Sequence, residues 1–289
     1  MMKALYNLQQ IDTKSPDAVA IAVRELYGRI FPENDSSYIE GYFKDVEKMF
    51  LGEYKGYQAM DTAYHDLEHT MQATLCFIRL MTQRQQSGVG PSMTQRDFNI
   101  GLLGILFHDL GYLKKASDNE GTGAKFTFVH EHRSCEFADV YLTENGWPKD
   151  EIFAVQHLIS CTGPRSIIDS IPFSSTIERV MGEALCTADY LGQMSDPGYV
   201  DKLPVLFSEF EESDDFRGIE PSERLFKSVE QLIHSTPVFW RKAVIPKLEK
   251  DCHGLYRYLA DPYPEGINPY IECVEKNVEI IQGIIDSTV

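Results

Sequence analysis

The stretch AYHDLEHTMQATL, residues 63–75, carries two histidines four positions apart in a segment with the apolar periodicity of a helix. On a helix, that spacing places His65 and His69 on one face. Such a pair is costly in an apolar core and useful beside a metal ion. The sequence therefore predicts a metal site here, provided that other segments supply further ligands.

Further candidate ligands follow along the chain. Six of the eight histidines lie between residues 65 and 157. In order, the candidates are His65, His69, the pair His108–Asp109, His130, His132, His157 and then Asp189. Each lies on or beside a predicted helix, and helical bundles build metal sites from side chains on several facing helices. Imidazole and carboxylate together suit Mn, Mg, Fe, Zn or Ni, and one carboxylate can bridge two ions.

The pair His108–Asp109 follows the apolar run IGLLGILF, residues 100–107, which predicts a helix buried on most sides. A carboxylate left unpaired at the end of such a helix is expensive. An ion pair with a lysine or arginine is one solution, and a metal ion is the other. The candidate ligands on both sides of the pair favour the metal.

Helical periodicity dominates the elements that must position these residues. Helices are predicted in the segments 15–31, 36–52, 66–85 and 92–111, and then over 131–145, 149–160, 175–193, 202–212, 221–234, 237–260 and 268–286. Thr94 is a predicted N-cap with Asp97 at the capping-box position. Residues 116–128 indicate a loop, and the acidic run 208–215 indicates a solvated helix end. No strand pattern or linker is evident, so we expect one all-α domain over residues 1–289.

Composition excludes several classes of partner. The chain has 27 basic and 44 acidic residues, a net charge of −17, which disfavours nucleic acid and anionic membranes. The longest apolar run is far below the roughly 20 residues of a membrane span. The six scattered cysteines form no CxxC motif and are typical of reduced thiols in the core. The N-terminus has no signal-peptide pattern, so we expect a cytoplasmic protein.

The order His69, His108–Asp109 and Asp189 resembles that of the HD superfamily of metal-dependent phosphohydrolases. Flanking segments are similar too: HDLGYL after the pair, HEHRSCEFA, which resembles the family's His-Glu-x-x-Ser/Gly helix start, and ALCTADYLG, which resembles its Ala-Asp-x-Leu/Ile segment. The resemblance covers about residues 60–195. It implies an HD-domain helical bundle with additional N-terminal helices and a C-terminal helical extension over about 200–289.

Two branches of this superfamily resemble different parts of the chain. YHDLEH is similar to the Tyr-His-Asn-x-x-His start of the class I cyclic-nucleotide phosphodiesterases, with Asp66 in place of Asn. That branch implies His69 as a metal ligand and His65 as the donor of a proton to the leaving oxygen. The dinuclear HD proteins add two histidines, and His130 and His157 fall in those places. The HD-GYP lysine after the pair is absent, since Tyr112 stands there.

Together these resemblances imply a set of site residues. The metal ligands would be His69, His108, Asp109, His130, His157 and Asp189 for two divalent ions. His132 is the rival of His130, because only one of them can point inward from a helix, and the HExxS pattern favours His130. Asp109 would bridge the ions, and a bridging hydroxide would attack phosphorus. Lys115, Arg133 and Arg165 are candidates for binding the phosphate of a small, nucleotide-like substrate.

Three functions remain open at this point. The first is a metal-dependent phosphohydrolase that hydrolyses a phosphomonoester or a phosphodiester. The second is a diiron oxygenase of the HD type that cleaves a C–C or C–P bond, because the same ligands allow it. The third is a regulatory module that binds a nucleotide without turnover, against which the intact ligand set argues. A homo-oligomer is possible in each case.

Overall fold

The computed structural model describes residues 11–163 and 165–288, and this part of the chain is helical. Its α-helices are α1 (Pro16–Ile30), α2 (Ile39–Phe50), α3 (Leu67–Gln86), α4 (Gln95–Phe107), α5 (His130–Glu144), α6 (Lys149–Ile159), α7 (Thr176–Met194), α8 (Tyr199–Phe216), α9 (Val229–Phe239), α10 (Ile245–Lys250) and α11 (Pro269–Thr288). Extended pairing in the described ranges is limited to two isolated β-bridges. The all-α prediction is confirmed. The first ten residues, where the sequence shows no signal-peptide pattern, lie outside the described part.

Helix starts follow the caps in the sequence. Thr94 and Asp97 form the expected capping box, in which the Asp97 amide donates to Thr94 Oγ1 (3.2 Å) and the Thr94 amide donates to Asp97 Oδ2 (2.8 Å). The helix that follows, α4, is buried on most sides, as the apolar run predicts. Its last residue, Phe107, directly precedes the pair His108–Asp109. The cap at Thr94 therefore fixes where α4 begins, and α4 leads into the pair His108–Asp109.

The pairing of α3 with α7 brings together two helices that carry candidate ligands. Gly192 of α7 lies against the backbone of α3, and a Cβ atom added there would be 2.8 Å from Ala73 Cα. His69 lies one helical turn before Ala73, and Asp189 lies almost one turn before Gly192. The absence of a side chain at Gly192 thus allows the two ligand-bearing helices to approach closely.

The C-terminal third departs from the predicted helices. The segment 221–234 was expected to be helical, but α9 begins only at Val229, because Ser228 Oγ accepts the Gln231 amide (3.3 Å) as its N-cap. The expected helix over 237–260 is interrupted by a π-helical turn, Trp240–Val244, just before Pro246. Proline has no N–H for the helical hydrogen-bond ladder, which accounts for the change of register.

The acidic run 208–215 lies at the C-terminal end of α8, as predicted, but only part of it is exposed. Glu209, Ser213 and Asp214 are buried, whereas Ser208, Glu211 and Asp215 are exposed. The face of α8 that carries Glu209 and Ser213 packs against the predicted loop 116–128, which contains the 3₁₀ turn Gly123–Phe126. Ser213 Oγ donates to Lys125 O there (3.3 Å). One face of this charged segment therefore packs against the loop 116–128, while the other faces solvent.

Two further predictions concern the thiols and the membrane. All six cysteines are free, and four of them are buried, as expected of core thiols. Among the helices that the structure describes, none has both the length and the apolar character needed to cross a membrane.

The contact at Gly192 predicts a specific loss of stability. Replacing Gly192 by valine places side-chain atoms against the α3 backbone, and we expect the free energy of unfolding to fall by about 1–3 kcal/mol. The measurement is urea unfolding followed by circular dichroism. Gly283→Val is the matched control, because Gly283 is also helical but has open space around its Cβ position. Equal stability of the two variants would contradict the role of Gly192.

Candidate metal centre

The start of α3 positions the two histidines that opened the sequence analysis. Asp66 is the N-cap, and its Oδ1 accepts the His69 amide (2.8 Å). The helix therefore begins at Leu67, so the expectation that His65 and His69 share a helix face is wrong. His65 lies in the turn before the helix, where the two rings are nevertheless 5.6 Å apart and nearly perpendicular. An aspartate at position 66 performs the capping that an asparagine could also perform.

The pair His108–Asp109 lies at a sharp change of direction between α4 and a 3₁₀ turn, Leu110–Tyr112. Helix α5 fixes this change through Ser134, whose hydroxyl donates to His108 O (2.6 Å) and accepts from the Gly111 amide (2.8 Å). Gly111 has no room for a side chain, since a Cβ there would be 1.9 Å from His130 O. This close approach brings the start of α5 next to Asp109.

Four side chains from three segments converge in the interior. His69 Nε2 is 3.1 Å from Asp109 Oδ2 and 3.4 Å from Asp189 Oδ1. His108 Nε2 is 3.2 Å from Asp109 Oδ2 and 3.6 Å from Asp189 Oδ1. The two Nε2 atoms are 3.3 Å apart. The atoms of His69, His108 and Asp109 are close enough together to hold one ion, and Asp189 faces them from α7.

The hydrogen bonds around this cluster leave its inner atoms as acceptors. His108 Nδ1 donates to Ile105 O (2.7 Å), so its neutral ring presents the Nε2 lone pair to the cluster. Asp109 Oδ2 is buried, and the atoms that face it are His69 Nε2 and His108 Nε2. Buried acceptors that face one another repel unless a proton or a metal cation lies between them. Two imidazoles and two carboxylates are a donor set that fits a divalent transition metal.

Electrostatic coupling within the cluster is strong. Burial lowers the pKa of His69, but hydrogen bonds with Asp109 and Asp189 and their charges outweigh it and raise this pKa to about 9. The same balance raises the pKa of His108 well above its usual value. Burial raises the pKa of Asp109, yet His108 and His69 hold it well below its usual range. The carboxylates therefore stay ionised and favour a positive charge in their midst.

A third histidine approaches Asp109 from the other side. His130 Nδ1 donates to Thr127 O (2.7 Å), which leaves His130 Nε2 at 3.5 Å from Asp109 Oδ1. Tyr112, three residues after Asp109, stacks on His130 and on His65, with ring centroids 4.6 Å apart in each case. The aromatic ring thus fixes the orientation of both histidines. Asp109 accordingly presents Oδ2 to His69 and His108, and Oδ1 to His130.

Glu209 is the residue that the sequence interpretation missed. Its Oε2 lies 2.5 Å from His65 Nδ1, and its Oε1 accepts the amide of Tyr64 (2.7 Å). Burial lowers the pKa of His65, but the charge and hydrogen bond of Glu209 outweigh it and raise this pKa. The available signal was helical spacing, because Glu209 lies on the face of α8 shared with the buried Ser213. The acidic residues next to Glu209 in the sequence indicated a solvated segment instead, so Glu209 was not predicted as a site residue.

The remaining histidines differ in their surroundings. His132 is a surface residue with its side chain 79% exposed, near Glu136. His157 is half-buried, and its Nδ1 lies 2.6 Å from Glu178 Oε1. No hydrogen bond or ion pair joins His157 to the cluster around Asp109 in the described part of the chain, and its role as a ligand stays a prediction. Orientation by a carboxylate is nonetheless what ligating histidines commonly have.

The three basic candidates for phosphate binding also differ. Lys115 is exposed and pairs through its backbone with Tyr57. Arg133 donates to Gly111 O (2.6 Å) and Leu113 O (2.7 Å), contacts that support the turn after Asp109. Arg165 is exposed and borders a cavity of about 330 Å³. All three remain predictions as substrate ligands.

Comparisons with known proteins show a similarity in fold to solved structures. No protein-family model and no curated protein matches the sequence. The fold is similar to the crystal structure of the phosphodiesterase domain of Salpingoeca rosetta rhodopsin phosphodiesterase, with a TM-score of 0.59 over 99% of this chain and 94% of that chain. The two sequences are 12% identical over the match. The chain therefore has the fold of a phosphodiesterase domain.

Metal content tests the assignment of the cluster. We expect His108→Ala to lower the metal content of the purified protein sharply, because it removes a lone pair that has no substitute in the cluster. Inductively coupled plasma mass spectrometry of protein purified without added metal or oxygen measures this content. His132→Gln is the matched control, since it removes an exposed histidine. A His108 variant with the metal content of the wild type would contradict the assignment.

Proposed function

We propose that this chain is a metal-dependent phosphohydrolase of the HD superfamily, acting on a phosphomonoester or phosphodiester of a small, nucleotide-like substrate. The observation that carries the proposal is the convergence of His69, His108, Asp109 and Asp189 in the order that the superfamily motif has. The phosphodiesterase-domain fold supports it. Localisation in the cytoplasm, a single domain over 1–289 and a homo-oligomer remain predictions beside it.

The first ion would be held by His69, His108, Asp109 and Asp189. His130 faces the second oxygen of Asp109 and would contribute to a second ion together with His157. When bound, such ions polarise a phosphoryl group and lower the pKa of a water ligand toward neutrality. The protein's own contribution is to hold the ligands in fixed orientations through Ser134, Ile105 O and Thr127 O.

His65 is proposed to protonate the leaving oxygen. Glu209 accepts the Nδ1 proton of His65, so the ring can donate only from Nε2. Its ring centroid lies 5.6 Å from that of His69 and 6.0 Å from that of His130, which places the ring beside both parts of the centre. Stacking on Tyr112 fixes the plane of the ring. Glu209 acts through His65 and is a positioning residue.

An anionic substrate needs positive charge in this acidic protein. The cavity beside Arg165 is also bordered by Lys247, Lys250 and the aromatic residues Tyr190 and Phe239. Tyr190 directly follows Asp189 on α7. Cationic side chains next to aromatic rings are suited to a nucleotide, whose phosphate and base have matching chemistry. Asp251 also borders this cavity, with its Oδ2 3.9 Å from Lys247 Nζ, and none of the four residues that converge at the metal centre borders it. We propose Arg165 as a ligand of the substrate phosphate.

The decisive test of this function is hydrolysis by an Asp109 variant. We expect the metal-loaded wild type to release phosphate or a nucleoside monophosphate from at least one member of a nucleotide and phosphodiester panel. Asp109→Asn should abolish this activity and lower the bound metal, because it removes the carboxylate that both histidines and His130 face. His253→Asn is a control outside the cluster. Oxygen consumption by an iron-loaded protein without hydrolysis would overturn the proposal in favour of the oxygenase.

The role of His65 predicts a dependence on the leaving group. His65→Asn should lower kcat about 10²- to 10⁴-fold for substrates with an alkoxide leaving group. It should change little for p-nitrophenyl esters, since p-nitrophenolate leaves without protonation. Glu209→Gln should shift kcat in the same direction by a smaller factor, and both variants should retain the metal content of the wild type. An equal loss on both classes of substrate would contradict proton donation by His65.

A further inference from the structure

Gln193 is a half-buried residue of α7 that holds the carboxylate of Asp189, one helical turn before it. Its Nε2 donates to Asp189 Oδ1 (3.1 Å) and to Asp189 O (3.1 Å). Oδ1 is also the atom that faces His69 Nε2 and His108 Nε2. The hydrogen bond therefore restrains the same carboxylate oxygen that Asp189 presents to the metal centre.

Asp189 is the least enclosed of the four residues that converge there. Its side chain is 13% exposed, whereas the side chains of His69, His108 and Asp109 are 4%, 1% and 4% exposed. A side chain with free space beside it can leave one rotamer for another unless a hydrogen bond holds it. In the described chain, the neutral side chain that donates to the Asp189 carboxylate is that of Gln193.

Tyr64 holds the other end of the Gln193 amide. Its hydroxyl donates to Gln193 Oε1 (2.9 Å), and the residue is buried. Burial, together with Tyr199 and the charge of Asp189, raises the pKa of Tyr64 well above its usual value, so the hydroxyl keeps its proton and can donate. Because Asp189 offers only acceptors, Gln193 must turn its NH₂ group toward Asp189 and its oxygen toward Tyr64.

The backbone of Tyr64 is fixed by the carboxylate that also orients His65. Glu209 Oε1 accepts the amides of Tyr64 (2.7 Å) and His65 (3.4 Å), while its Oε2 lies 2.5 Å from His65 Nδ1. One buried carboxylate of α8 thus belongs to two sets of hydrogen bonds. The first ends at His65, and the second passes through Tyr64 and Gln193 to Asp189.

We propose that Gln193 and Tyr64 are positioning residues of the metal centre, in which Gln193 holds Asp189 in the orientation of a metal ligand and Tyr64 holds Gln193. The inference rests on the proposed function, because it takes Asp189 as a ligand of the first ion. Substituting the partners that orient metal ligands typically lowers metal affinity about 10- to 100-fold. The same hydrogen bonds, anchored at Glu209, keep the proton donor His65 and the ligand Asp189 in a fixed relation.

Competition between the protein and a chromophoric chelator for Co²⁺ tests this proposal without a substrate. Gln193→Met should weaken the affinity for the first equivalent of Co²⁺ about 10- to 100-fold, because methionine has a similar length but no N–H to donate. Tyr64→Phe should weaken it by a smaller factor. Adding Tyr64→Phe to Gln193→Met should cause no further loss, because Tyr64 acts through Gln193. Wild-type affinity in Gln193→Met, or losses that multiply in the double variant, would overturn the proposal.

Two matched controls separate this role from a general loss of hydrogen bonds. Gln85→Met removes the amide of a half-buried glutamine of α3 that bonds to the backbone of Met93. Tyr38→Phe removes a hydroxyl that donates to an amide oxygen, Asn99 Oδ1 (2.7 Å). Both variants should bind Co²⁺ as the wild type does, and circular dichroism in excess chelator checks that every variant is folded. Losses of affinity in these controls equal to those of Gln193→Met and Tyr64→Phe would contradict the positioning role.

The visible absorption of bound Co²⁺ gives a signature that a change in stability alone does not move. Its bands depend on the geometry and kind of the ligands, so Gln193→Met should alter them at saturating Co²⁺ and Gln85→Met should not. An unaltered spectrum of Gln193→Met would contradict the positioning of Asp189. If His108→Ala loses the metal and Gln193→Met keeps wild-type affinity, the positioning role alone is refuted. If the effects of Gln193→Met appear but the wild type hydrolyses no substrate of the panel, the hydrolase is refuted and the positioning role stands.

Discussion

The convergence of four acceptor side chains in a buried space is the constraint on which the rest of the structure depends. His69, His108, Asp109 and Asp189 approach within 3.1–3.6 Å of one another across the cluster. Without a positive charge in their midst, these lone pairs and carboxylates would repel and favour a more open arrangement. A bound cation would turn this repulsion into attraction, so that metal binding and the folding of the centre support each other.

Several features of the fold serve to hold that arrangement closed. Gly192 permits the close approach of α3 and α7, and Gly111 permits the approach of α5 to the turn after Asp109. Ser134 then joins the two sides of this turn, and Arg133 supports it through two backbone carbonyls. Small residues and backbone hydrogen bonds thus determine distances that the ligand side chains alone could not maintain.

The C-terminal half of the chain packs over the site region and also supplies charged side chains to it. Helix α8 brings Glu209 to His65, and Lys202 of the same helix joins Glu68 to Asp196. The acidic excess of the sequence is therefore not spread evenly over the surface, because part of it is used inside as hydrogen-bonded carboxylates. Arg165, Lys247 and Lys250 gather positive charge at one cavity, which Asp251 also borders.

The sequence by itself determined the features that depend on local spacing. Apolar periodicity predicted the helices that carry the ligands, the capping box at Thr94 set the start of α4, and the motif order predicted a metal site at His69, His108, Asp109 and Asp189, which lie together in the fold. The predictions of helices and caps hold because helix formation and capping are determined within a few residues of chain.

Only the tertiary structure decided which distant residues meet. The partnership of Glu209 with His65 spans 144 positions, and the acidic neighbours of Glu209 indicated a solvated segment. The pairing of His157 with Glu178, the use of Arg133 by backbone carbonyls and the burial of Arg79 in the middle of α3 likewise depend on how helices pack. Burial and long-range pairing are properties of the packed helices, and no local pattern of charge or polarity encodes them.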